Sequence, residues 1–397
     1  MSRNFSWALV SVLILVSTAL AQTRTQTNSP PAIGFKTLYN FTGGNDGCCI
    51  FGGVARDKAG NLYGVAYLSD DLSNYGDLWE LTQGASGYTF HILQSFSSTD
   101  GECTGTPTID AAGNVFGACG GLVNGGTLWE YSNQGRFSVL HTFYAPAEGG
   151  GPDGSVAIDS SGNIYGTAGG YGPNGGGTLW EYSTSGKLTV LHAFALFYGS
   201  DGAGLPAGPR LDASGKLWGV TSQGPDCYAC GNGTIWNYNL NSGTFTLVSN
   251  LDNTDIKHPQ SRLTLDAAGN LYGTAYGLGI QDCGVVYELS PANNYQPVIV
   301  YHFSQIIGCE PIGRVSFDPQ GNIFGTTYYG GAGSGVAYEL KLVNGVWKET
   351  LLHTFVGTDG TGPFGGLTSD GAGNWFGTTE LGGSGKQGTV FEISGVQ

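Results

Sequence analysis

Positive charge is scarce in this sequence. Only 15 Lys and Arg stand against 30 Asp and Glu, for a formal net charge of −15. So acidic a surface excludes nucleic acid and anionic membranes as partners, because both are held through clusters of basic side chains. Apolar windows of helical period are lacking too, so helix should be nearly absent. Apart from Ala8 to Ala19, no apolar run approaches the length needed to span a bilayer. That run follows Arg3, is itself too short to span, and ends at the small-x-small site Ala19-Leu20-Ala21. It has the layout of a secretory signal peptide cleaved after Ala21, with an uncleaved anchor as the alternative. Residues 22–34 are rich in Thr, Gln, Asn and Pro, a composition that cannot bury a core and reads as a flexible leader. Catalytic signatures are lacking as well: there is no triad order, no His/Glu zinc spacing, no phosphate loop and no EF-hand loop.

What the chain has in abundance is glycine, 70 residues, and a repeat. Asp, two residues, Gly, Asn or Lys, an aliphatic or Trp, an aromatic and Gly recur at Asp57–Gly64, Asp110–Gly117, Asp159–Gly166, Asp212–Gly219, Asp266–Gly273, Asp318–Gly325 and Asp370–Gly377. A period of 49 to 54 residues makes each copy one supersecondary unit. In the third copy, Gly154–Asp159, Asn163–Thr167, Gly177–Tyr182 and Leu188–Phe194 alternate apolar and polar residues between Gly/Asx turns, the pattern of four antiparallel strands. Four short strands repeated seven times predict an all-β, seven-bladed β-propeller over residues 35–397. The fourth-strand motif also precedes the first copy, at residues 36–41, and is missing after the seventh. A ring closes if this N-terminal strand completes the last blade, which removes an exposed edge.

The run Asp266-Ala267-Ala268-Gly269-Asn270-Leu271-Tyr272-Gly273-Thr274, with Gly126-Thr127-Leu128-Trp129-Glu130 and Leu140-His141-Thr142-Phe143, resembles the Gloeo/Verruco tandem repeat of exported bacterial proteins. The resemblance covers essentially the whole mature chain. It implies the propeller fold and export, and carries no catalytic residue with it. At the level of the Asp-x-x-Gly-Asn turn, the first two strands also resemble NHL-type and gluconolactonase-type blades.

Residues at repeated positions are read as structure. Asp caps each turn and Gly supplies its positive φ. Trp79, Trp129, Trp180, Trp236, Tyr287, Tyr338 and Phe391 share one slot and should form the interblade core. Six Glu in another shared slot cannot all be a glycosidase acid or base. His141, His192 and His353 share a fourth-strand slot and read as packing or hydrogen-bonding residues.

Function is therefore sought where symmetry breaks. All eight cysteines fall in or beside the loops of one face, and export argues for disulfides. Adjacent strands would join Cys103 to Cys119, and consecutive loops Cys283 to Cys309. Cys227 and Cys230 can close on each other, metal binding being the alternative, and Cys48–Cys49 is either a vicinal disulfide or two cysteines paired elsewhere. The channel-nearest strand carries Gly, Ala, Ser and Thr four and two residues before the turn Asp, except for Arg210, Arg262 and Arg314 in blades 4, 5 and 6. With Lys257 these form a basic cluster suited to a carboxylate or sulfate. The alternative is that Arg262 and Arg314 pair with Asp255 or Glu310 and tie blades together.

Three function classes follow. The first is an exported binding, adhesion or scaffold module that engages glycan or extracellular protein through the cysteine-stapled, Tyr-rich face. The second is a secreted hydrolase or lyase of an acidic polysaccharide, with His258 as candidate base. The third, a calcium-dependent lactonase, ranks last because the channel strand offers Arg, Thr and Ser where acids and Asn are needed. No cofactor is expected beyond a possible structural calcium ion, and a monomer is expected.

Overall fold

A computed structural model of the chain describes residues 33–67, 75–121, 125–196, 201–224, 231–252, 254–277 and 282–396. The signal peptide of residues 1–21, the leader as far as residue 32, and Cys227 and Cys230 lie outside these residues.

The turn Asp organises each blade. In blade 3 the Asp159 carboxylate accepts the backbone N–H of Ser161 and of Asn163 at 2.8 and 2.9 Å, and the Asn163 amide at 2.9 Å. Gly162 then takes a φ of 89°, which a side chain would resist. The second strand that leaves this turn (Ile164–Gly170) pairs with the third (Gly175–Tyr182), and the third with the fourth (Leu188–Ala195). Seven such antiparallel sheets form a seven-bladed β-propeller. The N-terminal strand Gly34–Asn40 pairs antiparallel with Thr389–Ser394 and supplies the fourth strand of blade 7. It begins two residues earlier than the pattern suggests, because Gly34 lies opposite Ser394.

The motif's second Gly serves packing. Gly64, Gly117, Gly166 and Gly219 lie directly across from Trp79, Trp129, Trp180 and Trp236. Gly273, Gly325 and Gly377 lie across from Tyr287, Tyr338 and Phe391. A Cβ at any of these positions would run into the ring opposite. Each ring is at most 1 % exposed and belongs to one of seven apolar clusters between neighbouring blades. The cluster of Phe41, Val54, Trp79, Phe376 and Val390 joins blade 7 to blade 1, so the ring closes through core contacts as well as through the strand.

The channel-side strands regularise for only two residues each, such as Ala157–Ile158 in blade 3, where the alternation of Gly154–Asp159 predicts six. The first side chain of several of these strands bonds to the next blade. Thr108 Oγ1 donates to Val156 O at 2.9 Å, Thr264 to Val315 O at 2.8 Å, Ser316 to Leu367 O at 2.6 Å and Thr368 to Val54 O at 2.7 Å. Helix is confined to Ala145–Glu148 and a single 3₁₀ turn at Pro291–Asn293 among the described residues. None is long and apolar enough to cross a membrane.

Candidate functional site

The channel-side strands build a cavity of about 530 Å³ at the mouth opposite the Asp turns. Its wall is one residue from each blade, six positions before the turn Asp: Phe51, Thr104, Asp153, Pro206, Gln260, Ile312 and Phe364. Below them, two positions further along each strand, Thr106, Ser155, Arg262 and Arg314 line the floor. The period of two that places a strand residue toward the channel thus stacks wall on floor.

Arg262 is held across the ring. Its Nε donates to Pro209 O of blade 4 at 3.0 Å and its Nη2 to Val156 O of blade 3 at 3.1 Å. The first bond falls where Ala157 has no hydroxyl to offer the next blade. Arg314 Nη2 donates to Thr368 Oγ1 at 3.0 Å. Neither guanidinium forms an ion pair with Asp255 or Glu310; the ion pairs of the described residues involve His or Lys. Burial, with the charges of Arg210 and Arg314, pushes the Arg262 guanidinium down to about 9, and Asp153 acts in the opposite sense. A guanidinium stays protonated at neutral pH all the same. The push is chiefly a desolvation cost, with repulsion from Arg210 and Arg314 added to it.

Acids and aromatics complete the cavity. Burial raises the Asp153 carboxyl, opposed by hydrogen bonds from Ser155 and the backbone of Gly208 and by the Arg262 charge. Its Oδ1 accepts the Ser155 N–H at 2.9 Å. Tyr67 donates its hydroxyl to Glu102 at 2.6 Å, and burial with that bond pushes the phenol up to about 12. Phe51 meets Phe364 edge-on at 5.5 Å and Tyr67 at 5.4 Å, giving an aromatic stretch of wall across blades 7 and 1, beside Arg314 of blade 6.

The sequence profile of the Gloeobacter/Verrucomicrobia repeat matches residues 27–229 and 206–396. The chain belongs to this family. No curated protein matches the sequence. Among solved structures, the extracellular domain of BT4673 from B. thetaiotaomicron is similar, with a TM-score of 0.57 at 12% identity over 91% of this chain and 39% of that one. TolB from Acinetobacter baumannii has a TM-score of 0.46 at 14% identity over 75% of this chain and 65% of that one. The gluconolactonase XC5397 from Xanthomonas campestris has a TM-score of 0.43 at 12% identity over 88% of this chain and 97% of that one. The chain thus spans under half of the first protein's domain and about two thirds of TolB. The BT4673 likeness shows the fold alone.

In this member of the repeat family the structure brings Arg262 and Arg314 to one cavity and sets Arg210 on the far side of Arg262. Lys257 and His258 do not line it. The Lys257 ammonium is taken by Asp282 at 2.7 Å. His258, at a φ of 52°, points its Nδ1 at Ser222 O, 2.8 Å away. So placed, the candidate base His258 is not among the residues that line the cavity. Disulfides join Cys103 to Cys119 and Cys283 to Cys309. The sulfurs of Cys48 and Cys49 approach to 2.7 Å, longer than a disulfide bond. Among the described residues no group of three His, Cys, Asp or Glu is placed to hold a metal ion. The aromatic wall and the Tyr67–Glu102 pair are not evident from the positions four and two before the turn Asp. Reading one further step in the same phase, six before it, finds Phe51, Asp153 and Phe364.

Proposed function

We propose that the chain is an exported binding module whose cysteine-stapled face takes an acidic glycan in the channel mouth. One observation carries this reading: two guanidinium groups that form no ion pair with a described carboxylate lie on the floor of a cavity whose wall holds Phe51 and Phe364. A uronate residue fits both, with its ring face on Phe51 or Phe364 and its carboxylate over Arg314 and Arg262. Export is supported by the two disulfides and by the Ala19-Leu20-Ala21 site. The likeness to an extracellular domain agrees with it.

Calorimetry with an oligogalacturonide and its neutral, carboxyl-reduced counterpart tests the reading. The acidic ligand should bind at least about tenfold tighter, from a charge-assisted bond worth roughly 1.5–3 kcal/mol. Phe364→Ala should weaken both ligands, through stacking worth about 0.5–1.5 kcal/mol. Equal affinity for the two ligands overturns it.

A second reading is favoured by Asp153, whose carboxyl is raised by burial as a general acid requires. With Glu102 it places two acids in the cavity of a hydrolase or lyase that acts on the same ligands. Release of reducing ends that ceases in Asp153→Asn, with binding retained, supports this reading; binding without release in the natural chain excludes it.

A further inference from the structure

The other end of the channel opens among the Asp turns of blades 2, 3 and 4, in a second cavity of about 810 Å³. Arg210 and Arg262 form its inner end. Arg210 occupies the slot that holds a hydroxyl residue in blades 2, 5, 6 and 7, where that hydroxyl bonds a carbonyl of the next blade. Arg210 makes no such bond. Its Nε is buried and has no hydrogen-bond partner among the described residues. It forms no ion pair with any described residue either. A buried N–H left unsatisfied costs about 1–3 kcal/mol, and an uncompensated buried charge costs more.

Three guanidinium groups therefore meet in the channel, where Asp153 acts on Arg262 but on neither Arg210 nor Arg314, and Asp153 lines the opposite cavity. The small side chain of Ala157, which also lines the turn-side cavity, leaves room beside Arg210. We propose that the turn-side end of the channel holds a small inorganic anion, a halide or phosphate, between Arg210 and Arg262. The rim explains why the anion is small. Asp110, Asp159 and Asp212 stand around the opening, and the carboxyls of Asp159 and Asp212 are lowered by the hydrogen bonds of their own turns, so they stay ionised. A polyanionic chain would meet that charge along its length, whereas a single ion passes it once and is then held by Arg210 and Arg262. The anion ties blade 4 to blade 5 in the slot where other blades use a hydroxyl.

The test is thermal unfolding during titration with inorganic phosphate, at an ionic strength held constant with sodium methanesulfonate. The natural chain should show a saturable rise in Tm, as for any ligand that binds only the folded state. Arg210→Met should need at least tenfold more phosphate for the same rise. Phe364→Ala, which alters only the glycan cavity, should respond like the natural chain, so failure here is separable from failure of the glycan reading. No saturable rise in the natural chain, or the same midpoint in Arg210→Met, overturns the proposal. If Arg210→Met does not fold, crystals of the natural chain grown in sodium bromide decide: an anomalous peak between Arg210 and Arg262 supports the site, and its absence refutes it.

Discussion

Arg262 in blade 5 donates through Nη2 to the carbonyl oxygen of Val156 in blade 3, 3.1 Å away, and so bridges past blade 4 altogether. A second bond, from its Nε to Pro209 O, catches blade 4 on the way. One side chain thus fastens three blades and also presents positive charge to the cavity. The structural and ligand-binding roles of the arginines do not exclude each other.

That double role separates the two floor arginines by experiment. Arg262→Ala removes two charge-assisted bonds and should lower stability by about 2 kcal/mol, since relief of like-charge repulsion offsets part of the loss. Arg314→Ala removes one bond, to Thr368, and should cost about 1 kcal/mol. Both variants should lose the preference for acidic over neutral oligosaccharide. Urea unfolding and calorimetry on the same preparations measure the two effects. Should either variant lose stability and keep the preference, that arginine is a blade tie and nothing more.

Two glycines of blade 5 test the packing account. Gly269 has a φ of 85° and open space where a Cβ would lie, so Gly269→Ala should cost about 1 kcal/mol through backbone strain alone. Gly273 instead faces the hydroxyl and ring of Tyr287, so Gly273→Ala should cost about 3 kcal/mol by overpacking. Tyr287→Phe removes the atom nearest the new methyl and should recover part of that loss in a double-mutant cycle. The buried Tyr287 hydroxyl has no hydrogen-bond partner among the described residues, so its removal forfeits none there. Additive effects would mean that the collision is not with Tyr287.

The same glycines show why the fold was legible in the sequence and the site only in part. A turn Asp, a positive-φ Gly and a Gly facing an aromatic ring are needed once per blade, so sevenfold recurrence reports them. The channel arginines were legible as departures from that recurrence. Phe51 and Phe364 were not, because the ring six positions before the turn Asp holds a different residue in every blade but two and has no rule to break. Lys257 and His258 do not line the cavity; their bonds to the Asp282 carboxylate and to Ser222 O have no sequence signal.

Glu349, on the fourth strand of blade 6, should make stability depend on pH. Burial pushes its carboxyl up to about 7, although the Tyr301 hydroxyl donates to it at 2.9 Å and opposes the rise. The folded chain therefore holds this proton more tightly than the unfolded chain, whose Glu titrates near 4.5. Stability rises with pH only where the unfolded state binds more protons, and here the folded state binds more. The contribution is fully present below pH 4.5 and is lost as pH rises through about 7. Glu349→Gln cannot titrate and lacks this dependence. The urea midpoint of the natural chain relative to Glu349→Gln should therefore fall between pH 4.5 and 7 and level off above it. Parallel curves across that window would show that burial does not raise this carboxyl.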